Sequence, residues 1–203
     1  MEIEVKELAK RDFNKAIDFA IKGMHFERYT DNKLSLRLYG RYFLYLELER
    51  ATQVFAAYMD TQLLGILMAD IKNENKIYSS FWRRIYLRIF KGIMALVVKD
   101  GPDAYDEANK AILDDYLRKN TPDGEICFLA ADTAIQGKGI GSLLIKELSR
   151  REKDKLIYLF TDNNCTYRFY EHKGFERAEE KEIEMDLRGK VLQLTCFLYS
   201  KQF

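Results

Sequence analysis

A mixed α/β fold is predicted for this 203-residue chain by three features of its sequence. Two apolar runs at residues 53–59 and 63–71, separated by Asp60-Thr61-Gln62, read as a hairpin. A compact strand at residues 125–131 runs through a small-residue turn into a helix and then into a further strand at 155–160. A second hairpin, 175–187 with 191–199, closes the chain. A strand, loop, helix, strand succession of this length makes a right-handed crossover between parallel strands. The expected architecture is therefore α/β or mixed α+β, with a mostly antiparallel central sheet and one parallel pair beside the turn.

The remaining elements follow from periodicity. Ile3 and Val5 alternate with Glu4 and Lys6 as a short first strand, and Phe13, Ile17, Ala20 and Ile21 recur at helical spacing after a potential cap, Asp12. Residues 33–49 carry Leu38, Tyr42, Tyr45, Leu46 and Glu49 at helical intervals, although Leu34, Leu36 and Leu38 also fit a strand. Ile77, Phe81, Ile85, Ile89 and Ile93 step by four beside Arg83, Arg84, Arg88 and Lys91, which predicts a basic amphipathic helix. That helix reads as a packed element, as a wall of a ligand site, or as a surface for membrane or partner contact. A further helix, 104–119, follows Gly101-Pro102 and ends before Asn120-Thr121-Pro122. The segment 73–123 is thus a helical insertion in a single domain spanning 1–203. Residues 164–172 read as a short helix, and Arg188-Gly189-Lys190 as the turn of the last hairpin.

Composition narrows the class of function. A hydrophobic content of 47% supports a real core, and 33 basic against 32 acidic residues leave nothing global to recruit nucleic acid or an anionic surface. Three scattered cysteines, Cys127, Cys165 and Cys196, lack metal-knuckle spacing and fit a reducing cytoplasm. His25 and His172, the two histidines, have no partner at metal spacing, so no metal is expected. Neither a signal peptide nor a membrane span is read.

The most informative stretch is Ala131-Asp132-Thr133-Ala134-Ile135-Gln136-Gly137-Lys138-Gly139-Ile140-Gly141. Such a turn aims unpaired backbone N–H groups at one spot beside the positive end of a helix dipole, which suits phosphate oxygens. A P-loop is excluded by spacing, because Gly137, Gly139 and Gly141 alternate and Ser142 has no preceding Lys. A dinucleotide fingerprint would need Gly where Ser142 or Leu144 stands. Gln136-Gly137-Lys138-Gly139-Ile140-Gly141 instead resembles the Gln/Arg-x-x-Gly-x-Gly/Ala signature of the GNAT superfamily of N-acetyltransferases, whose loop holds the pyrophosphate of acetyl-coenzyme A. The ending Phe169-Tyr170-Glu171-His172-Lys173-Gly174-Phe175 is similar to the family's Phe-Tyr-x-x-x-Gly-Phe. The family's Val-x-Pro is replaced, with Ala131 and Thr133 at the Val and Pro positions.

The resemblance implies direct transfer of an acetyl group from acetyl-coenzyme A to a primary amine. Residues Gln136 to Ser142 would bind the pyrophosphate, with Lys138 adding surface charge, and the parallel pair would lie at this cofactor site. Backbone N–H groups of Leu129, Ala130 and Ala131 would polarise the thioester carbonyl. Asn163, with Asn164 as rival, would hold the pantetheine arm, and its place seven residues before Tyr170, close to two helical turns, would let both side chains face the cofactor from one side. Tyr170 would protonate the leaving thiolate, and Glu125, eleven residues before Gln136 as in the histone-acetyltransferase branch, would act as base, with Asp123 close by. A phenol with pKa near 10 is a reasonable donor to a thiolate of pKa near 8.5. The bland alternatives are a half-buried packing Tyr170, an ordinary helix stop at Gly174 and a solvated Glu125 at a strand start. Cys127, on an apolar strand, reads as inert rather than as a nucleophile. A non-catalytic acyl-coenzyme A sensor, another donor such as succinyl, and a homodimer stay open, as does the acceptor itself. In relatives the segment 23–32 forms part of the acceptor groove.

Overall fold

A computed structural model describes residues 2–28, 30–97, 103–135, 137–187 and 190–203. Gln136, the Gly101-Pro102 pair and the Arg188-Gly189 turn of the sequence analysis lie outside the described residues. The elements are β1 (Ile3–Lys6), α1 (Phe13–Gly23), α2 (Lys33–Arg50), β2 (Gln53–Met59), β3 (Gln62–Ile71), α3 (Phe81–Val97), α4 (Asp103–Leu117), β4 (Gly124–Ala131), α5 (Ile140–Arg151), β5 (Leu156–Asp162), α6 (Arg168–His172), β6 (Glu176–Leu187) and β7 (Lys190–Gln202). The strand order is β1-β2-β3-β4-β5-β7-β6. This is the expected mixed α/β architecture. The chain folds as two compact units, 1–91 with 126–153 and 92–125 with 154–203.

In the first unit β1 pairs antiparallel with β2, and β2 with β3 through a turn in which Asp60 takes a positive φ. Val54, Ala56 and Tyr58 of β2 join Leu63, Ile66 and Met68 of β3 in a core closed by Ala16, Ile17 and Ala20 of α1 and Leu44 and Leu48 of α2. Residues alternate faces along a strand. Phe55 accordingly points the other way, beneath Arg151 of α5, whose guanidinium lies 4.7 Å from the ring centroid. Helices on both faces explain why β2 and β3 read as continuous apolar runs rather than as an alternation. The register of the pair shifts between Ala57 and Tyr58, which leaves Leu64 of β3 as a bulge.

Asp12 does precede α1, but its side chain makes no capping bond; it accepts the Tyr58 hydroxyl at 2.8 Å instead. Asn32 does cap α2, accepting from the N–H groups of Leu34 and Ser35. The helical reading of 33–49 therefore wins over the strand reading, and a cap is the deciding feature. The basic helix starts four residues later than its periodicity suggests. Asn73 adopts a positive φ, the Tyr78 hydroxyl donates to the Leu8 carbonyl, and the Ser80 carbonyl receives the Arg84 N–H, so Ile77 falls in the connection.

In the second unit β7 runs antiparallel to both β5 and β6, with a register shift between Arg177 and Glu179. Ala108, Ile112 and Tyr116 of α4 cover Cys196 and Leu198 of β7. The start of β4 belongs here. The Asp123 N–H donates to the Leu156 carbonyl at 2.7 Å and the Tyr158 hydroxyl to the Glu125 carboxylate at 3.0 Å, so partners advance in the same direction along both segments. That is the predicted parallel pair.

The predicted helix over 164–172 shortens to α6. The Asp162 carboxylate receives the N–H groups of Asn164 and Cys165, and this side-chain bonding holds a turn where a helix would begin.

Two glycines give opposite expectations for stability. A Cβ at Gly40 would stand 2.5 Å from Ile21 Cγ1, so α1 and α2 approach closely only because Gly40 has none. Gly40→Ala should lower unfolding free energy by about 1–3 kcal/mol, whereas Gly92→Ala, in an α3 position with nothing within 4 Å, should raise it by up to about 1 kcal/mol. Urea unfolding of the two variants checks both signs.

Candidate active site

The glycine turn is built from the end of β4 outward. The carbonyl of the bulged Leu64 accepts the Asp132 N–H at 2.7 Å, which ties the exit of β4 to β3. Beside it, a Cβ on Gly65 would stand 2.7 Å from Ile140 Cγ2, 3.1 Å from the Ala130 carbonyl oxygen and 3.3 Å from Ala131 Cα. Only a glycine lets the first residue of α5 and the last residues of β4 come this close to β3. The Asp132 carboxylate then bonds the Ala134 N–H at 3.1 Å and pairs with Lys15 of α1 at 2.7 Å. Those contacts, the Lys15 hydrogen bond foremost, hold the Asp132 carboxyl below its ordinary value.

Gly137 and Gly139 have φ of +86° and +76°, and a Cβ on either would meet nothing within 4 Å. Both are therefore required by backbone angle rather than by space. Gly139 is the N-cap of α5, without a side-chain cap, and its carbonyl takes the Leu143 N–H. That bond is the first of the helix, so the N–H groups of Ile140, Gly141 and Ser142 have no helical acceptor. They stand at the positive end of the α5 dipole. The Lys138 N–H, by contrast, is used by the Ile135 carbonyl at 3.2 Å. Only the exposed Lys138 side chain remains for an anion. In β4, Ala130 is buried, and Leu129 and Ala131 are half-buried.

The second unit holds the other candidates. Tyr170, on α6, is half-buried against Phe169, Phe175 and Tyr199, with ring centroids 5.3, 5.9 and 6.4 Å away. Burial pushes its phenol above the ordinary value, and Cys165 adds to the shift. The hydroxyl has no hydrogen-bond partner among the described residues. Glu125 is half-buried at the second position of β4, where the Tyr158 hydroxyl donates to it. Asp123 is occupied by the Leu156 N–H at 2.8 Å.

Asn163 is exposed, and its Oδ1 accepts the Thr195 N–H at 3.2 Å, leaving its amide nitrogen for a ligand. Asn164 buries an Nδ2 that finds no partner among the described residues. Because α6 begins only at Arg168, Asn163 and Tyr170 do not share a helical face two turns apart, and that part of the sequence reading is corrected. His25 is half-buried in a positive-φ turn, His172 is exposed, and all three cysteines are free. Among the described residues no group of three or more His, Cys, Asp or Glu side chains could hold a metal ion.

Residues 96–177, containing the glycine turn and α6, match the model of an acetyltransferase (GNAT) domain. That part of the chain is similar to a GNAT acetyltransferase domain. Solved structures of the same fold include the PaiA N-acetyltransferase of Thermoplasma acidophilum in complex with coenzyme A, 15% identical with a TM-score of 0.55 and 100% of each chain covered. A polyamine N-acetyltransferase of Drosophila melanogaster that forms N-acetylagmatine is 12% identical, with a TM-score of 0.54 and 100% of each chain covered. An N-acetyltransferase of Staphylococcus aureus is 12% identical, with a TM-score of 0.57, over 98% of this chain and 100% of the other. None of the curated proteins matches the chain by sequence.

Reading the sequence for GNAT motifs assigns no role to Asp132, Lys15, Leu64 or Gly65, which fix the turn. An Asp two residues before a small residue at a strand exit is a signal for a side-chain-bonded turn and would have flagged Asp132. Gly65 carries no comparable mark inside its apolar run.

Asp132 has a depressed folded-state pKa, so it contributes stability above the unfolded carboxylate value and loses it as pH falls through the folded one. Asp132→Asn should cost about 1 kcal/mol at pH 7, and the gap to the parent should close below about pH 4. Urea unfolding across a pH series measures this; a gap that persists into acid would detach Asp132 from the ion pair.

Proposed function

We propose that the protein moves an acetyl group from acetyl-coenzyme A directly to a primary amine. The observation that carries this reading is the exposed, glycine-bent turn that leads into α5 with the N–H groups of Ile140, Gly141 and Ser142 lacking helical acceptors. A diphosphate is the ligand such a cradle fits, and the Thermoplasma relative binds coenzyme A. Gly137 and Gly139 bend the turn, Lys138 contributes charge at its rim, and Gln136 of the same motif is assigned to the diphosphate by resemblance alone.

Acyl transfer requires that an N–C bond form as the C–S bond breaks, that the amine lose a proton and that the thiolate be stabilised. Backbone N–H groups of Leu129, Ala130 and Ala131 serve to polarise the thioester oxygen. Asn163, through its amide nitrogen, holds the pantetheine arm, and the unpartnered Asn164 Nδ2 gives the rival its own claim. Glu125 takes the amine proton, through water. Tyr170 serves the leaving sulfur. Its raised pKa makes complete proton transfer to a thiolate of pKa near 8.5 uphill. Tyr170 therefore acts as a hydrogen-bond donor to the developing charge and stays protonated, and the departing thiolate takes its proton from water as Glu125 returns the amine proton to solvent.

Incubation with acetyl-coenzyme A and an amine library should release free thiol in an amine-dependent manner. Tyr170→Phe should lower kcat by about 10- to 10⁴-fold while the acetyl-coenzyme A KM stays within a few fold. Glu125→Gln should fall in the same range at neutral pH. Binding without turnover across the library would favour an acyl-coenzyme A sensor, a reading to which the engagement of Glu125 by Tyr158 lends some weight. Succinyl-coenzyme A that outcompetes the acetyl form in a thermal-shift titration would change the donor without changing the cradle.

A further inference from the structure

α3 divides into three faces. Arg83, Tyr86 and Phe90 lie against α2: Arg83 pairs with Glu49 at 2.8 Å, Tyr86 packs edge-on to Tyr45 at 5.5 Å, and Phe90 stacks on Tyr42 at 4.7 Å. Phe81, Trp82, Ile89 and Ile93 form a second face that is 63%, 76%, 59% and 52% exposed, with half-buried Ile85 among them. Arg84, Arg88 and Lys91 form a third, wholly exposed face that borders the apolar one along Phe81 and Ile85. No acidic residue occurs anywhere in Phe81–Val97. Single exposed hydrophobic residues are ordinary, but a contiguous stripe led by Phe and Trp is not.

We propose that α3 seats the protein on a bilayer surface that carries anionic lipid. An interfacial helix pairs an apolar, aromatic-rich face with flanking cations, and the exposed arc of α3 has both in adjoining sectors. Charge selects this occupant over a second copy. A two-fold contact with the helices antiparallel would bring Arg84, Arg88 and Lys91 of one protomer towards the same three residues of its partner, with no acidic side chain on the helix to offset them. Trp82 and Phe81 reach to the headgroup level while Arg84, Arg88 and Lys91 meet the lipid phosphates. Among the described residues no helix is long and apolar enough to cross a membrane, so the contact is made from one side. Net charge of +1 for the whole chain does not oppose this, since attraction at a surface falls off within a Debye length and is set by local charge. The inference rests on α3 alone and stands apart from the reaction proposed above.

Trp82 is the single tryptophan of the chain, so its emission reports this face without labelling. The intact protein is mixed with vesicles of phosphatidylcholine alone or with about 30% phosphatidylserine, and binding is read by co-sedimentation and by Trp82 emission. Expected are co-sedimentation with the anionic vesicles at least about 10-fold stronger than with neutral ones, a blue shift on binding, and weakening in salt. Arg84→Glu with Arg88→Glu, and separately Phe81→Ser with Ile89→Ser, should each weaken binding about 10-fold while far-UV circular dichroism is retained. The wild-type comparison of the two vesicle types needs no variant and stands if either fails to fold. Absence of binding, equal binding to both vesicle types, or a blue shift that follows protein concentration without lipid would overturn the proposal, the last in favour of self-association.

Discussion

The geometry of the glycine turn depends on one close approach, the meeting of three backbone segments over Gly65. β3, the end of β4 and the first residue of α5 converge where any side chain on Gly65 would collide with Ile140 and with the Ala130 carbonyl. The bulge at Leu64 supplies the carbonyl that receives the Asp132 N–H, so the chain leaves β4 at a fixed angle. Asp132 in turn spends its side chain on Ala134 and on Lys15 of α1. The exposed turn is thereby tied to the helical layer that closes the core. A loop free to rearrange would lose entropy on gripping a ligand; one already fixed at its root loses less.

The chemistry of the second unit is organised by side chains that replace missing backbone partners. Asp162 gathers the N–H groups of Asn164 and Cys165 and also receives the Tyr105 hydroxyl of α4 at 3.3 Å. The turn before α6 is thus anchored to the helix that covers β7. Behind α6, Arg177 lies 4.3 Å from the Phe197 ring centroid and donates to the Tyr199 hydroxyl, which itself donates to Glu171 at 2.7 Å. Burial raises the Tyr199 phenol to about 12. Tyr199 has its hydrogen bonds made and Tyr170 does not, so two neighbouring phenols are one structural and one available.

Much of this was legible in the residues themselves. Period and turn chemistry placed both hairpins, α1, α2 and the crossover from β4 to β5, because apolar spacing and small-residue turns act locally. The glycine turn was legible for the same reason: positive φ at Gly137 and Gly139 is a local demand. Two boundary errors share a cause. Around Ile77 and around Asn163 the helical period extends past the point where a polar contact, Tyr78 to Leu8 or Asp162 to its own loop, captures the backbone. Gly65, Leu64 and Lys15 were hidden because their importance lies in contacts between segments distant in sequence. That the β7 backbone engages Asn163 rather than Asn164 was likewise beyond periodicity.

Gly137 and Gly139 carry a consequence beyond their own loop. Their α-carbons sit in the half of conformational space that mirror-image amino acids prefer, and the space beside each is vacant. D-alanine at position 139, introduced by ligation, would favour the backbone angle of the turn and would narrow the unfolded ensemble. Handedness, rather than bulk, is what this turn asks of its residues.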